Sequence, residues 1–355
     1  MKICFLGDSS SIHVKRWCEF FRDMGDEVTL ISFSKEQCQG IKNISLADNL
    51  KIDNKGGNIG YLKKIFIIKK IIKDINPDIV NAHYLTSYGL IGAITKARPL
   101  VVSTWGTDIL VTPYKNPAYL LITKYVIKKS DLITSDSKFM SDKIRELGGS
   151  KKKIATVPMG IDTSIFNSTH QEMIKNYGEI LSMRTLIKNS NIDIIIKAFS
   201  KLVREDKKIR LNITNDGDCE LELKNLVNQL GINEYVKFYG NVKKEEVAKL
   251  LKKSDLYISI PTSDSTSVTL LEAMACGTLP IVSKLPANEE WIKNKKNGYV
   301  VNGKDQEELY KIMEEALQNQ DLKAKAAALN KTIINKRAIW KENMNSIREE
   351  YMKIL

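Results

Sequence analysis

Two rhythms of apolar residues alternate along the chain. Short unbroken apolar runs read as strands buried on both faces. In the first half these are Lys2–Leu6, Glu27–Phe33, Ile79–Ala82, Pro99–Thr104 and Asp131–Ser135. In the second half they are Ile180–Met183, Ile209–Thr214, Val236–Tyr239, Leu256–Ile260 and Pro280–Val282. Between them lie stretches with helical spacing, such as His13–Met24, where Val14, Trp17, Cys18, Phe21 and Met24 share one face before Gly25 stops the helix. Further helices are expected over Lys115–Lys128, Ser137–Leu147, Ile192–Val203, Glu220–Leu230, Glu245–Lys253, Val268–Cys276 and Asp305–Gln318. Strand and helix alternate throughout, which predicts an α/β chain with two Rossmann-like, doubly wound parallel sheets facing a central cleft. The polar run after Phe166 predicts a linker over 167–178. This bounds a first domain at 1–166 and a second at 179–332, with a charged amphipathic helix or helix pair in the tail, 333–355.

One helix carries a second pattern. Over Gly60–Ile75, residues Ile65, Ile68, Ile71, Ile72 and Ile75 form a stripe for the core. The opposite face sets Lys63, Lys69, Lys70 and Lys73 among Leu62, Phe66 and Ile67. Lysines interleaved with exposed apolar groups suit an anionic membrane surface; a solvated lysine-rich helix is the plainer alternative.

Composition narrows the classes. Of 355 residues, 43% are hydrophobic and 27% charged, the balance of a globular protein. No apolar run reaches membrane-span length. The N-terminal MKICFLGDSS is a strand and polar loop without the pattern of a signal peptide. Five scattered cysteines and three histidines indicate neither a disulfide framework nor a metal centre, and point to a reducing cytoplasm. The net charge of +13 favours anionic partners, but no nucleic-acid-binding motif accompanies it.

The chemistry concentrates in Pro261–Glu290. A strand ends in a loop of small hydroxyl residues, Ser263, Ser265, Thr266 and Ser267, which opens the helix Val268–Cys276. Ligands of open α/β sheets bind at such carboxyl ends, and the amides of a helix N-terminus suit a phosphate. Asp264 and Glu272, with seven residues between them, bracket the loop. Carboxylates there accept hydrogen bonds from sugar hydroxyls, so amides plus two acids fit a nucleotide sugar.

This stretch resembles the donor-binding signature of GT-B glycosyltransferases of the large retaining family 4, in which two acids at this spacing precede an EAMACG-type helix. Asp264 stands where the first acid is usually Glu. The resemblance runs along the whole chain: PDIV before His83, the Ile154–Asp162 crossover with Met159 in place of Asn, Arg184 after a strand, and Asn297-Gly298-Tyr299 before a valine strand. It implies an acceptor-binding first domain, a nucleotide-sugar-binding second domain, and a C-terminal helix packing back on the first domain. It also implies roles. Arg184, with Lys188 one place early for the usual lysine, would hold the diphosphate together with the Ser265–Ser267 amides. Asn241 and Val242 would meet the base, and Gly7 the diphosphate from the first domain. Asp264 would meet the transferred sugar and Glu272 the ribose. His13, His83 and Trp105 are acceptor-side candidates; Trp105 replaces a histidine common in relatives, and both histidines fit a purely structural place equally well. Asp108 is a candidate base or acceptor ligand, or a cap for the segment that follows.

The expected activity is therefore a retaining sugar transfer, without metal or other cofactor, from a nucleotide diphosphate sugar, UDP-linked first and GDP-linked next. The acceptor would be a glycan or polyprenyl-linked glycan of cell-surface polysaccharide or glycoconjugate assembly, in the cytoplasm or at the inner face of the membrane. Two rivals remain at this level: a nucleotide-sugar epimerase or phosphorylase on the same fold, and a non-catalytic nucleotide-sugar-binding module.

Overall fold

The computed structural model describes residues 1–47, 59–168 and 178–355. The chain forms two units: Met1–Val157 with Met344–Leu355, and Pro158–Asn343. The segment read as a linker, 167–178, lies mostly outside the described residues.

Unit 1 holds, among the described residues, seven strands: β1 (Lys2–Leu6), β2 (Glu27–Ser32), β3 (Lys42–Ser45), β4 (Ile79–His83), β5 (Leu100–Ser103), β6 (Leu132–Ser135) and β7 (Lys153–Thr156). All pair in parallel, in the order β3-β2-β1-β4-β5-β6-β7. Helices cover both faces, so the central strands are apolar on both sides. Cys4, Leu6, Val80, Ala82, Val102 and Ile133 join one buried cluster with Ile68, Ile91 and Val126 of the covering helices. Each fully buried large aliphatic side chain contributes about 1.5–3 kcal/mol. The strand β3 was not expected. Its sequence, KNIS, is polar and half-exposed at the sheet edge, so no apolar run announces it.

The helix read over Gly60–Ile75 is a 3₁₀ stretch, Ile59–Lys64, followed by an α-helix, Ile65–Ile75. Ile68, Ile72 and Ile75 are buried as the stripe predicts, whereas Phe66 is 84% and Ile67 46% exposed among exposed lysines. Pro117–Lys129 starts two residues later than read because Asn116 caps it: its side chain accepts from the Tyr119 amide, with Pro117 in the first turn. On the other face of the sheet, Tyr351 stacks on Phe21 with ring centroids 5.2 Å apart.

Unit 2 holds six described strands: β8 (Glu179–Ser182), β9 (Arg210–Thr214), β10 (Val236–Gly240), β11 (Leu256–Ser259), β12 (Leu279–Ser283) and β13 (Tyr299–Val301). They are parallel, in the order β10-β9-β8-β11-β12-β13. The helix Val268–Ala275 buries Leu270, Leu271, Ala273, Met274 and Ala275, and Gly277 at φ 69° ends it. Lys323 is buried and donates to Asp255 at 2.7 Å; the other Asp255 oxygen takes the Gly178 amide at 2.7 Å. The tail is two helices, Gln320–Arg337 and Trp340–Met352, so helix begins earlier than read. The break has a cause: Ile339 leaves helical geometry to bridge Ile161, whose carbonyl takes the Trp340 amide at 2.9 Å.

Candidate functional site

Strand order fixes where each unit can bind a ligand. In unit 2 the chain winds outward from β8 through β9 to β10, then returns to β11 on the other side of β8. The loops leaving β8 and β11 therefore diverge at their carboxyl ends, and a crevice opens between them. Arg184 lies two residues beyond β8, and Asp264 lies in the loop after β11. The two meet: Arg184 Nη1 donates to Asp264 Oδ2 at 2.6 Å and to Ser267 Oγ at 3.3 Å. Their side chains keep 18% and 23% exposure, so the pair borders solvent.

The supporting shell is built from polar side chains. Asn189 clamps the loop after β11 by donating to Ser263 O and accepting from the Ser263 amide, at 3.0 and 3.1 Å. Asn191 donates to Ile260 O at 2.8 Å. The hydroxyl residues are largely turned inward. Ser267 Oγ lies 2.9 Å from Thr269 Oγ1, which lies 2.6 Å from the buried Tyr257 hydroxyl. Trp291 Nε1 donates to Thr266 Oγ1 at 3.3 Å. The Ser265 amide donates to Asp264 Oδ1 at 3.0 Å. Glu272 is half-buried in the same helix, and Lys188 is exposed at the start of the turn Lys188–Ser190.

A second loop braces Arg184. Asp216 O accepts from the Leu186 amide, and Leu186 O from the Cys219 amide. A Cβ on Gly217 would come within 2.5 Å of Leu186 O, so only glycine allows this approach. Asp216 Oδ2 accepts from Asn241 Nδ2 at 2.5 Å, which ties the loop after β9 to the loop after β10. The sequence reading placed Arg184, Lys188, Ser265, Thr266, Ser267, Asp264, Glu272, Asn241 and Val242 in this unit. It gave no role to Asn189, and none to Asp216 and Gly217, whose loop has a DxD look that was not read as a metal site. The only signal for these was local: an Asn-rich turn and a glycine between two acids.

Unit 1 has its own reversal of strand order, between β1 and β4. Gly7 follows β1, His83 ends β4 and Trp105 follows β5. A Cβ on Gly7 would lie 3.0 Å from Val14 and 3.5 Å from the His83 Cβ, so glycine lets these elements close. Trp105 stacks with His13 at 5.0 Å and with His83 at 5.4 Å, and Trp17 meets His83 edge-on at 5.0 Å. His83 is buried. Its Nε2 lies 2.9 Å from Asn81 Oδ1, while the Asn81 amide nitrogen donates to Ser103 Oγ at 2.9 Å. Nε2 therefore carries the proton, and Nδ1 has no hydrogen-bond partner among the described residues. Burial, with His13 adding to it, pushes the His83 pKa down to about 3.

Asp108 does not join this cluster as a free base. It has no exposed surface, and its oxygens accept the Leu85 and Trp105 amides at 2.9 Å each. Burial pushes its pKa up to about 6 against the pull of those amides. The residue fastens the turns after β4 and β5, which is its capping alternative.

The profile described as "Glycosyl transferase 4-like" matches residues 2–137, and that described as "Glycosyl transferases group 1" matches residues 166–333. The N-acetyl-alpha-D-glucosaminyl L-malate synthase of Bacillus anthracis is 31% identical over 238 residues, covering 63% of this chain and 61% of that protein. The alpha-monoglucosyldiacylglycerol synthase of Streptococcus pneumoniae is 27% identical over 257 residues, covering 66% of this chain and 58% of that protein. The chain thus spans about 60% of the length of these curated relatives. Anabaena HepE, solved with UDP and glucose, superposes with a TM-score of 0.83 at 19% identity, covering 99% of both chains. Two parallel-sheet Rossmann-like units, two matching profiles and this likeness of fold make the chain a GT-B glycosyltransferase of the group 1 family, family 4.

Proposed function

We propose that the protein transfers a sugar from a nucleotide diphosphate sugar, UDP-linked before GDP-linked, to a glycan or lipid-linked glycan, with retention of configuration. The observation that carries this is the meeting of Arg184 and Asp264 at the β8/β11 reversal, with Glu272 in the adjoining helix. The solved relative HepE holds UDP and glucose, which supports a UDP-linked donor. The pneumococcal relative's name, a glucosyldiacylglycerol synthase, supports a lipid-linked acceptor.

In this reading Arg184 binds the diphosphate, with Lys188 and backbone amides near Thr266 and Ser267 assisting. A guanidinium can grip two phosphate oxygens and stabilise the charge that grows as they depart. Glu272 accepts from the ribose hydroxyls, Asp264 from a hydroxyl of the transferred sugar, and the Asn241–Val242 loop meets the base. The acceptor oxygen bonds to the anomeric carbon as its bond to the β-phosphate oxygen breaks on the same face. The acceptor's proton passes to the departing phosphate. His13 and Trp105 of unit 1 line the acceptor side, with His83 buried behind Trp105. Phe66 and Ile67 among Lys63, Lys69, Lys70 and Lys73 form a face for an anionic membrane, which suits a lipid-linked acceptor.

The test is a thermal-shift screen against UDP-, GDP-, ADP- and CDP-sugars, run beside Glu272→Ala. A ligand of the folded state raises the melting temperature by mass action. A shift with one base that Glu272→Ala abolishes supports the reading. Equal shifts in both proteins count against Glu272 as the ribose ligand, and no shift with any donor counts against a donor site in unit 2.

A further inference from the structure

Arg184 and Asp264 are each other's partners. That pairing conflicts with the separate tasks of gripping phosphate and sugar. Arg184 Nη1 is committed to Asp264 Oδ2 at 2.6 Å. Asp264 Oδ1 is committed to the Ser265 amide at 3.0 Å. Arg184 Nη1 and Asp264 Oδ2 each spend a hydrogen-bonding position on the other, so a diphosphate drawn to Arg184 competes with Asp264 for the guanidinium. The pair is only partly exposed, at 18% and 23%, so its members exchange partners in an environment that strengthens charge interactions relative to water.

We propose that Asp264 is an internal stand-in for the donor's phosphate, making this site discriminate between an intact nucleotide sugar and the nucleoside diphosphate left after transfer. The inference rests on the donor-site reading above. On donor binding, the diphosphate displaces Asp264 from Arg184, and the freed Oδ2 accepts a hydroxyl of the sugar. Both groups are then satisfied. When the sugar has left, that hydroxyl is gone, and the carboxylate faces a terminal phosphate of like charge with no donor between them. Asp264 then returns to Arg184 and expels the product.

Asn189 prevents the alternative, in which the loop simply swings away. It pins Ser263, the residue before Asp264, through both its amide and its carbonyl. The carboxylate therefore stays within reach of Arg184 whichever partner it holds. Ser267 Oγ, 3.3 Å from Arg184 Nη1 and backed by Thr269 and Tyr257, marks the position from which the guanidinium moves.

Calorimetric titration of UDP and of the UDP-sugar selected by the screen, on wild type, Asp264→Asn and Asp264→Glu, tests this. Asparagine can still accept from a sugar hydroxyl but neither neutralises Arg184 nor repels phosphate. In Asp264→Asn, UDP should bind about tenfold more tightly, and the preference for the UDP-sugar over UDP should fall by about the same factor. Asp264→Glu, which keeps the charge, should keep the preference. If Asp264→Asn weakens UDP and UDP-sugar alike, or leaves their ratio unchanged, the exchange is overturned while the donor site stands. If the wild type binds neither, the donor-site reading falls with it. Should Asp264→Asn not fold, the wild type decides alone: UDP bound clearly more tightly than the UDP-sugar overturns the exchange.

Discussion

Arg348 grips Asp26 through two hydrogen bonds, Nε to Oδ2 at 2.9 Å and Nη2 to Oδ1 at 3.0 Å. They join residues 322 positions apart, on the tail helix and in the turn before β2, across an almost fully buried carboxylate. Removing one partner of such a pair leaves a buried charge short of donors. Arg348→Ala should lower stability by about 2 kcal/mol, less than the full cost because the Met1 ammonium also holds Asp26 Oδ1, at 2.7 Å. Urea denaturation reads this. Arg348→Lys should recover only part of it, since an ammonium cannot reproduce the two-pronged geometry.

His83 sets a pH dependence with a definite sign. Its folded pKa of about 3 lies below the ordinary 6.5, so the unfolded chain takes a proton that the folded chain refuses. The stability tied to neutral His83 is complete above about pH 6.5 and is lost as pH falls towards 3. His83→Gln keeps an N–H for Asn81 and cannot titrate there. The stability difference between wild type and this variant should shift in the variant's favour by up to about 1.4 kcal/mol per pH unit over that window. A flat difference between pH 7 and 4.5 would contradict a buried neutral imidazole.

Asp108 works in the opposite direction. Its pKa rises from 3.8 to about 6 on folding, so its contribution is greatest below 3.8 and declines as pH rises through 6. Asp108→Asn leaves one of the Leu85 and Trp105 amides facing another N–H. The loss should be about 1–3 kcal/mol, larger at pH 5 than at pH 8. Thermal melts at the two pH values check both size and trend.

Gly217→Ala should disturb the donor side of unit 2. The added methyl group meets the backbone of Leu186, which cannot yield without moving the turn that carries Arg184. A destabilisation of about 1–3 kcal/mol is expected, with nucleotide binding weakened more than stability alone explains. Unchanged binding would mean that the loop after β9 does not position Arg184.

Vesicle flotation tests the exposed lysines and apolar residues between Lys63 and Ile75. Charge reversal at Lys63, Lys69, Lys70 and Lys73 should abolish binding to anionic vesicles, and Phe66→Asp alone should weaken it. Each lysine near such a surface is worth about 1 kcal/mol, so four reversals exceed what remaining contacts can restore. Binding that survives the quadruple change would leave Phe66 and Ile67 without a membrane role.

The strands were legible because buried parallel strands need apolar side chains on both faces, and Leu256–Ser259 or Leu279–Ser283 have little else. The helix Val268–Ala275 was legible from its glycine stop and its small hydroxyl entry. Strand β3 escaped because an edge strand owes its place to backbone pairing, which KNIS supplies without apolar content. The widened turn Tyr84–Gly89 escaped for a related reason: Tyr84 sits at φ 73°, where side-chain identity gives no warning. The Arg184–Asp264 pair joins residues 80 positions apart, so both residues could be named but not their mutual bond. Asp108 was ambiguous in sequence because a cap and a base are the same carboxyl group; only its amide partners tell them apart.

Unit 1 is discontinuous: residues 344–355 belong to it, although residues 158–343 intervene. On the ribosome, the place that Tyr351 fills against Phe21 therefore stays open while all of the second unit is made. Of the two units, the one begun first is finished last. A premature stop or a proteolytic nick near the end of the chain would spare the nearest sheet and strike the one encoded first.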